Sequence, residues 1–295
     1  MSALEVTRME GLATVQDAGR PGHMHAGVPH GGALVPELLA CANTAAGNPP
    51  GAAALEVFGR ITVRAADGDL TLATEDGAVR ALARDAELDV PPSAVFRVRY
   101  LAIRGGVDVP LALGGRGTLL VARLGGHEGR ALRRGDRLAV GGVVESGQKA
   151  SVLDASWLHA PVRVVLGPDQ GRFEAAAVDA LLSGTFAVLP SSDRVGTRLD
   201  GPRLARPDGT SAASPRRGQR LDDDGVSAPM APGAIEVPAS GPPIVLGPDH
   251  PTTGGYPVLA VVARADLGRF AARRVGERVR FVAVSVEESR ARGGR

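Results

Sequence analysis

The apolar positions of this chain come in short runs. Leu4, Val6 and Met9 are separated by polar residues, the alternation expected of a half-buried strand over 1–12. Ala53-Ala54-Leu55-Glu56-Val57-Phe58, Ile61-Thr62-Val63, Leu70-Thr71-Leu72-Ala73 and Ala78-Val79-Arg80-Ala81-Leu82 repeat the signal. Their spacing of roughly ten residues is the cadence of a β-barrel or sandwich. Phe96, Val98 and Tyr100 alternate with arginines, so 95–107 is predicted to contain a strand with one buried face. Further strands are expected at 137–140, 162–166, 186–189, 197–199, 258–263 and 279–286.

Helical spacing is confined to three stretches. Residues 36–46 place Leu38, Leu39, Ala42 and Ala46 on one face behind Pro36, and Gly47-Asn48-Pro49-Pro50 ends them. Residues 173–182 gather Phe173, Ala177, Val178, Leu181 and Leu182 on one side, and 265–272 is a shorter helix with Asp266 near its start. Residues 14–32 are too irregular for a helix and too polar for core, which predicts a long ordered loop. Residues 203–225 lack periodicity and carry opposed charge clusters, the pattern of a mobile surface loop. The tail from 287 is expected to fray. A polar junction at 143–160 divides the chain into two β-rich domains, 1–155 and 156–287. The fold class is mainly β with a few short helices.

Composition narrows the function. The 40 glycines and 22 prolines among 295 residues fit many short elements joined by turns. A net charge of +2 gives no strong field for a polyanion, and 3% aromatic residues are too few for a base-stacking platform. Nucleic acid is therefore not an expected partner. Nor is a membrane, since no run approaches the ~18 apolar residues a span requires. Cys41 is the only cysteine, so no intrachain disulfide forms, which suits a reducing cytoplasm. In the setting LLACANTAA it reads as a small buried apolar residue.

Candidate chemistry concentrates in 232–257, PGAIEVPASGPPIVLGPDHPTTGGYP. Two apolar runs there, 234–237 and 244–246, are followed by Thr252-Thr253-Gly254-Gly255-Tyr256. Hydroxyls beside bare glycine backbone suit a polar ligand, and they also suit a tight hairpin. Glu236 and Glu56 are carboxylates flanked by apolar residues. Such a group is costly inside a barrel without a partner, which makes both candidate ligand or acid/base groups. Asp17/Arg20, Arg104/Asp108 and Asp193/Arg194 lie in glycine- or turn-rich settings, as ligand-binding forks or as ion pairs pinning loops. His23 and His25 lack the spacing of a metal motif, so no metal site is assigned. Walker-type phosphate loops and GxSxG elbows are absent.

Six ordered segments together resemble one family over nearly the whole chain. They are VQDAGRPGHMHAGVPHGGAL (15–34), AGNPPGAAALEV (46–57), YLAIRGGVDVP (100–110), LGGHEGRALRRGDRL (124–138), SSDRVGTRLDG (191–201), and PGAIEVPASGPPIVL with TTGGYP (232–257). The family is the biotin-dependent carboxyltransferases, which include 5-oxoprolinase subunits, allophanate hydrolase subunit 2-like and urea amidolyase-related proteins, and antagonists of a kinase inhibitor. The resemblance implies a cyclophilin-like β-barrel in the C-terminal half and work with a B-type subunit, and with an A-type subunit as well. It implies ATP-dependent opening of a small cyclic amide, 5-oxoproline to glutamate, with ATP bound by the complex. Two alternatives stay open: a regulatory protein that sequesters a kinase-inhibitor-like partner, and a carboxyltransferase component meeting carboxybiotin on a separate carrier and a urea-like amide. Glu236, Arg104 and Asp193 are the expected catalytic residues. Arg20, His25, Thr252, Thr253, Gly254, Gly255 and Tyr256 are expected to bind substrate. The chain departs from the family pattern at Gly31, Val35, Gly115, Gly117, Ala228, Glu236 and Pro251, where the family favours Gln at position 236.

Overall fold

A computed structural model describes residues 2–144, 146–204, 227–238 and 242–291. Apart from Arg203 and Leu204, the loop expected at 203–225 lies outside the described residues. The chain divides into two compact units, Met1–Gly22 with His30–Trp157, and Leu158–Arg295 with His23–Pro29.

The first unit contains β1 (Ala3–Gln16), α1 (Pro36–Ala45), β2 (Ala54–Ala66), β3 (Leu70–Thr74), β4 (Val79–Leu82), β5 (Glu87–Val90), β6 (Arg99–Ile103) and β7 (Arg137–Ala139). These strands form one sheet in the order β4-β3-β6-β2-β1-β7, with β5 also paired to β2. β1 and β2 are antiparallel along their length, from Ala3 opposite Ala66 to Gln16 opposite Ala54. Midway, Gly11 faces Gly59, both at positive φ (106° and 120°). A Cβ on either would meet a carbonyl oxygen across the pair at 2.1 Å, so the crossing tolerates no side chain. On one side of this point β2 pairs with β6, and on the other with β5. The runs at 53–58 and 61–63, expected as two strands, are thus one strand bent at Gly59. The core behind it includes Leu4, Val6, Leu55, Ile61, Leu72, Leu101 and Ile103, and each such side chain contributes about 2 kcal/mol through burial. α1 packs on β6 and β3 with Leu38, Leu39 and Ala42 inward.

The second unit contains β8 (Val162–Leu166), α2 (Ala175–Ser183), β9 (Phe186–Val188), β10 (Gly196–Asp200), β11 (Ala228–Pro229), β12 (Ala234–Glu236), β13 (Ile244–Leu246), β14 (Thr253–Gly254), β15 (Val258–Val262), α3 (Leu267–Ala271), β16 (Arg278–Val279), β17 (Phe281–Ala283) and α4 (Val286–Ala291). Eight of the strands form a sheet in the order β16-β9-β10-β13-β12-β15-β8-β17. Its two end strands, β16 and β17, are separated in sequence only by Arg280. The sheet must therefore curl until its edges nearly meet, which gives the barrel-like form. Phe186, Phe270 and Phe281 meet in its core, with Phe281 at ring-centroid distances of 5.7 and 6.2 Å from the other two.

The expected strand at 279–286 ends at Ala283, and the tail expected to fray is helix α4. The reason is local. The Glu288 N–H donates to Ser285 Oγ at 3.1 Å, and the Ser285 N–H donates to Glu288 Oε2 at 2.8 Å. This reciprocal capping box satisfies donors that the first turn would otherwise leave open. No helix among the described residues is long and apolar enough to cross a membrane.

Candidate functional site

Glu236 closes β12 at a break in register. Ile235 lies opposite Ala260 of β15, yet Glu236 lies opposite Val258, so Leu259 bulges out of the ladder. Bulges re-aim neighbouring side chains. Glu236 is 5% exposed. Its Oε1 lies 3.1 Å from where a Cβ on Gly254 would sit, and the Met230 side chain borders the same point at 3.0–3.1 Å. Among the described residues no hydrogen-bond donor reaches this carboxyl. Burial pushes its pKa up to about 7, so both protonation states are populated near neutral pH.

The loop above it is tied down on both sides. β14 pairs with β11, Gly254 opposite Ala228 and Thr253 opposite Pro229, and the Met230 N–H donates to the Thr252 carbonyl at 2.9 Å. Downstream, the Val258 N–H donates to Asp169 Oδ2 at 2.9 Å. Upstream, Arg194 makes a buried two-pronged bond to Asp249, with Nε to Oδ2 and Nη2 to Oδ1 both 2.8 Å. Backbone bonds from Asp249 to Arg194 and from Gly247 to Val195 join the 191–196 turn to the 247–250 loop as one block. Thr252 is half-buried, whereas Thr253, Gly255 and Tyr256 are exposed. A Cβ on Gly255 would meet nothing within 4 Å, so the approach to the loop is open there.

His250 is a residue that the sequence reading does not single out. It is completely buried, and its Nδ1 lies 2.8 Å from the Pro251 carbonyl. That oxygen only accepts, so Nδ1 carries the proton and Nε2 is an acceptor. Nε2 is buried with no partner among the described residues. Burial lowers the pKa of the ring, which keeps it neutral. The available signal is its place, directly ahead of the Pro-Thr-Thr-Gly-Gly run.

The other expected residues are distributed as follows. Asp193 is exposed, and its Oδ1 accepts from Val195 N at 2.8 Å and Gly196 N at 3.0 Å, which shapes the turn beside Arg194. His25 sits exposed on a single 3₁₀ turn, Met24–Ala26, in the segment that groups with the second unit. Arg104 is exposed just beyond β6 and opens a turn in which Gly106 N donates to the Ile103 carbonyl. Asp108 pairs with Arg116 at 3.1 Å. Arg20 is buried, and its guanidinium donates to the carbonyls of Ala112 and Gly117. Asp17 accepts from the backbone N–H groups of Gly19, Arg116 and Gly117 at 2.8, 2.5 and 3.1 Å. Glu56, the second strand carboxylate, accepts from Leu34 N at 2.7 Å and from the Tyr100 hydroxyl at 2.6 Å. Asp17, Arg20 and Glu56 therefore pin loops of the first unit. The structure gathers Glu236 and Thr252–Tyr256 (252–256) in the second unit, with His250 and the Asp193 turn alongside. No group of three or more His, Cys, Asp or Glu among the described residues is arranged to hold a metal.

Comparison with known proteins matches this architecture. The sequence is 34% identical over 301 residues to the C-type subunit of 5-oxoprolinase from Escherichia coli, covering 97% of this chain and 93% of that protein. It is 30% identical to the corresponding 5-oxoprolinase subunit from Haemophilus influenzae, with the same coverage. Urea amidolyase of Lachancea kluyveri is 29% identical over 98% of this chain, which spans only 17% of that longer protein. The crystal structure of the Kluyveromyces lactis urea amidolyase superposes with a TM-score of 0.82 at 27% identity, covering 98% of this chain and 19% of that one. The family described as carboxyltransferase domain, subdomain A and B, matches residues 26–283, and the chain belongs to that family.

Proposed function

We propose that this chain is the C-type subunit of an ATP-dependent 5-oxoprolinase complex, which opens 5-oxoproline to glutamate together with a B-type and an A-type partner in the cytoplasm. The observation that carries this reading is the 34% identity to the C-type subunit of a 5-oxoprolinase across almost the full length of both chains. Glu236 lies beside Gly254 of the 252–256 loop, which supplies hydroxyls and bare backbone for a small amide. Glu236 serves as acid/base because its two protonation states coexist near neutral pH. Asp193 and His25, both grouped with the same unit as Glu236, support binding. A buried carboxyl with no cation beside it is a poor seat for a triphosphate, so the nucleotide is assigned to a partner chain.

Reconstitution tests this. ATP-dependent turnover of 5-oxoproline by the complex of all three subunits is expected to fall to background when this chain is left out. Full turnover in its absence overturns the reading. A second reading, carboxyl transfer from carboxybiotin on a separate carrier to a urea-like amide, is favoured by the TM-score of 0.82 to urea amidolyase. Carboxylation of urea in the presence of a biotinylated carrier, with no turnover of 5-oxoproline, would select it.

A further inference from the structure

Glu236 has a property that no general need of the fold explains. The residue is 5% exposed, its Oε1 lies 3.1 Å from where a Cβ on Gly254 would sit, and the carboxyl receives no hydrogen bond among the described residues. Neither carboxyl oxygen is fully sealed off, so the group keeps an edge in contact with solvent while no donor of the described residues engages it. The bulge at Leu259 is what turns this side chain toward the loop, and the glycine at 254 is what leaves room beneath it. Both features serve the same placement.

We infer that the Glu236 carboxyl is an edge-on docking seat for a cis amide, the N–H and C=O arrangement found in lactams and ureas. A neutral carboxylic acid presents one donor and one acceptor on a single edge. A cis amide presents the complementary pair, and the two close an eight-membered ring through two hydrogen bonds. The ligand N–H donates to the carboxyl C=O, and the carboxyl O–H donates to the ligand carbonyl. A trans amide, such as an ordinary peptide bond, offers its N–H and C=O on opposite sides and cannot make both bonds. The seat therefore selects a lactam or urea over a linear peptide. The inference rests on the proposed reading of the chain and names the atom pair through which the substrate is recognised.

The seat works only while the acid is protonated. The elements packed against Glu236 do little to alter this. β13 and β15 carry no titratable residue. The adjoining loops carry His250, held neutral by burial, Asp249, paired with Arg194, Asp169, bonded to the Val258 N–H, and the exposed Tyr256. Desolvation alone sets the ionisation of Glu236. As pH rises through about 7 the carboxylate loses its donor and repels the ligand carbonyl.

The test is direct binding to the folded chain, by calorimetry, of pyrrolidinone and its N-methyl derivative. Pyrrolidinone is expected to bind at least about tenfold more tightly than the N-methylated lactam, the scale of one lost hydrogen bond. Its affinity should fall about thirtyfold between pH 6 and pH 8.5. Glu236→Gln keeps one donor and one acceptor on the same edge, so it should bind within threefold of the parent at pH 6 and show no pH dependence. Glu236→Leu should not bind. Equal affinity for the two lactams, a pH-independent parent, or no lactam binding by the folded chain overturns the inference without relying on any variant. The two readings separate cleanly. Lactam binding by a chain whose omission leaves turnover intact rejects the subunit assignment and keeps the seat. A complex that needs this chain but turns over normally with Glu236→Leu rejects the seat alone.

Discussion

Two carboxyls of this chain are buried beside glycine-rich loops, Asp17 in the first unit and Glu236 in the second, and they are treated in opposite ways. Asp17 is surrounded by donors, three backbone amides from two separate loops. Glu236 has none among the described residues. The first arrangement uses the charge to hold loops together. The second leaves the group's hydrogen-bonding capacity unused by the described residues. The difference shows why burial alone does not identify a site, since Glu56 is as deeply buried as either and is held at Oε2 by both Leu34 N and the Tyr100 hydroxyl. What separates scaffold from candidate chemistry here is whether the buried group is satisfied.

Substitutions at the two carboxyls put this contrast at risk. Asp17→Ala would strand three amides in the first unit, and a loss of about 3–5 kcal/mol is expected in chemical denaturation. A change below about 1 kcal/mol would mean that Asp17 is not the scaffold half of the pair. Glu236→Gln should do the reverse at alkaline pH. The folded-state pKa of about 7 lies above the ordinary 4.5, so ionisation favours the unfolded chain. The parent's advantage from holding this proton is complete below about 4.5 and is lost as pH rises through about 7. The variant should therefore be more stable than the parent by about 3 kcal/mol at pH 8.5, with the gap closing towards pH 4.5. A constant difference across that window would show that Glu236 titrates normally.

Smaller effects refine the second region. Gly254→Ala places a methyl 3.1 Å from Glu236 Oε1 and 3.0 Å from Met230 Cε. Both neighbours are side-chain ends that can give way, so a stability loss of about 1 kcal/mol is expected, with a larger fall in lactam affinity. Thr253→Ala, at an exposed position, should leave the melting temperature within about 1 °C and raise KM for the complex without lowering kcat. A fall in kcat alone would move Thr253 from binding to chemistry.

Much of the strand pattern is visible in the chain because alternation and turn residues are local signals. The helices at 36–45 and 175–183 follow from their apolar faces. The loop anchors are not visible, because they are long-range. Arg116 N reaches Asp17 across 99 positions, and Arg194 reaches Asp249 across 55. In the sequence, Asp17 with Arg20 and Asp193 with Arg194 look like neighbouring partners. In the fold, the carboxylates of Asp17 and Asp193 bind backbone amides, while Arg20 binds carbonyls and Arg194 binds Asp249. β5 escapes a reading of the pattern because Glu87-Leu88-Asp89-Val90 has only two apolar positions, and its pairing with β2 decides its form. Glu236 is legible as a carboxylate in an apolar strand. That it lacks a partner cannot be read from sequence, since this depends on every group around it.

The one-residue link at Arg280 carries a consequence for how the chain is made. The sheet of the second unit begins with β8 and is completed only by β17, which lies parallel against it. The strand that closes the sheet is synthesised almost a full unit after the strand it must join. Until Phe281 and Ala283 have emerged from the ribosome, the backbone edge of β8 is open and the aromatic cluster lacks its central ring. Folding of this unit is therefore expected to stay incomplete until late in its synthesis, and a nascent chain stalled before residue 281 should expose an edge for a chaperone or another strand to capture.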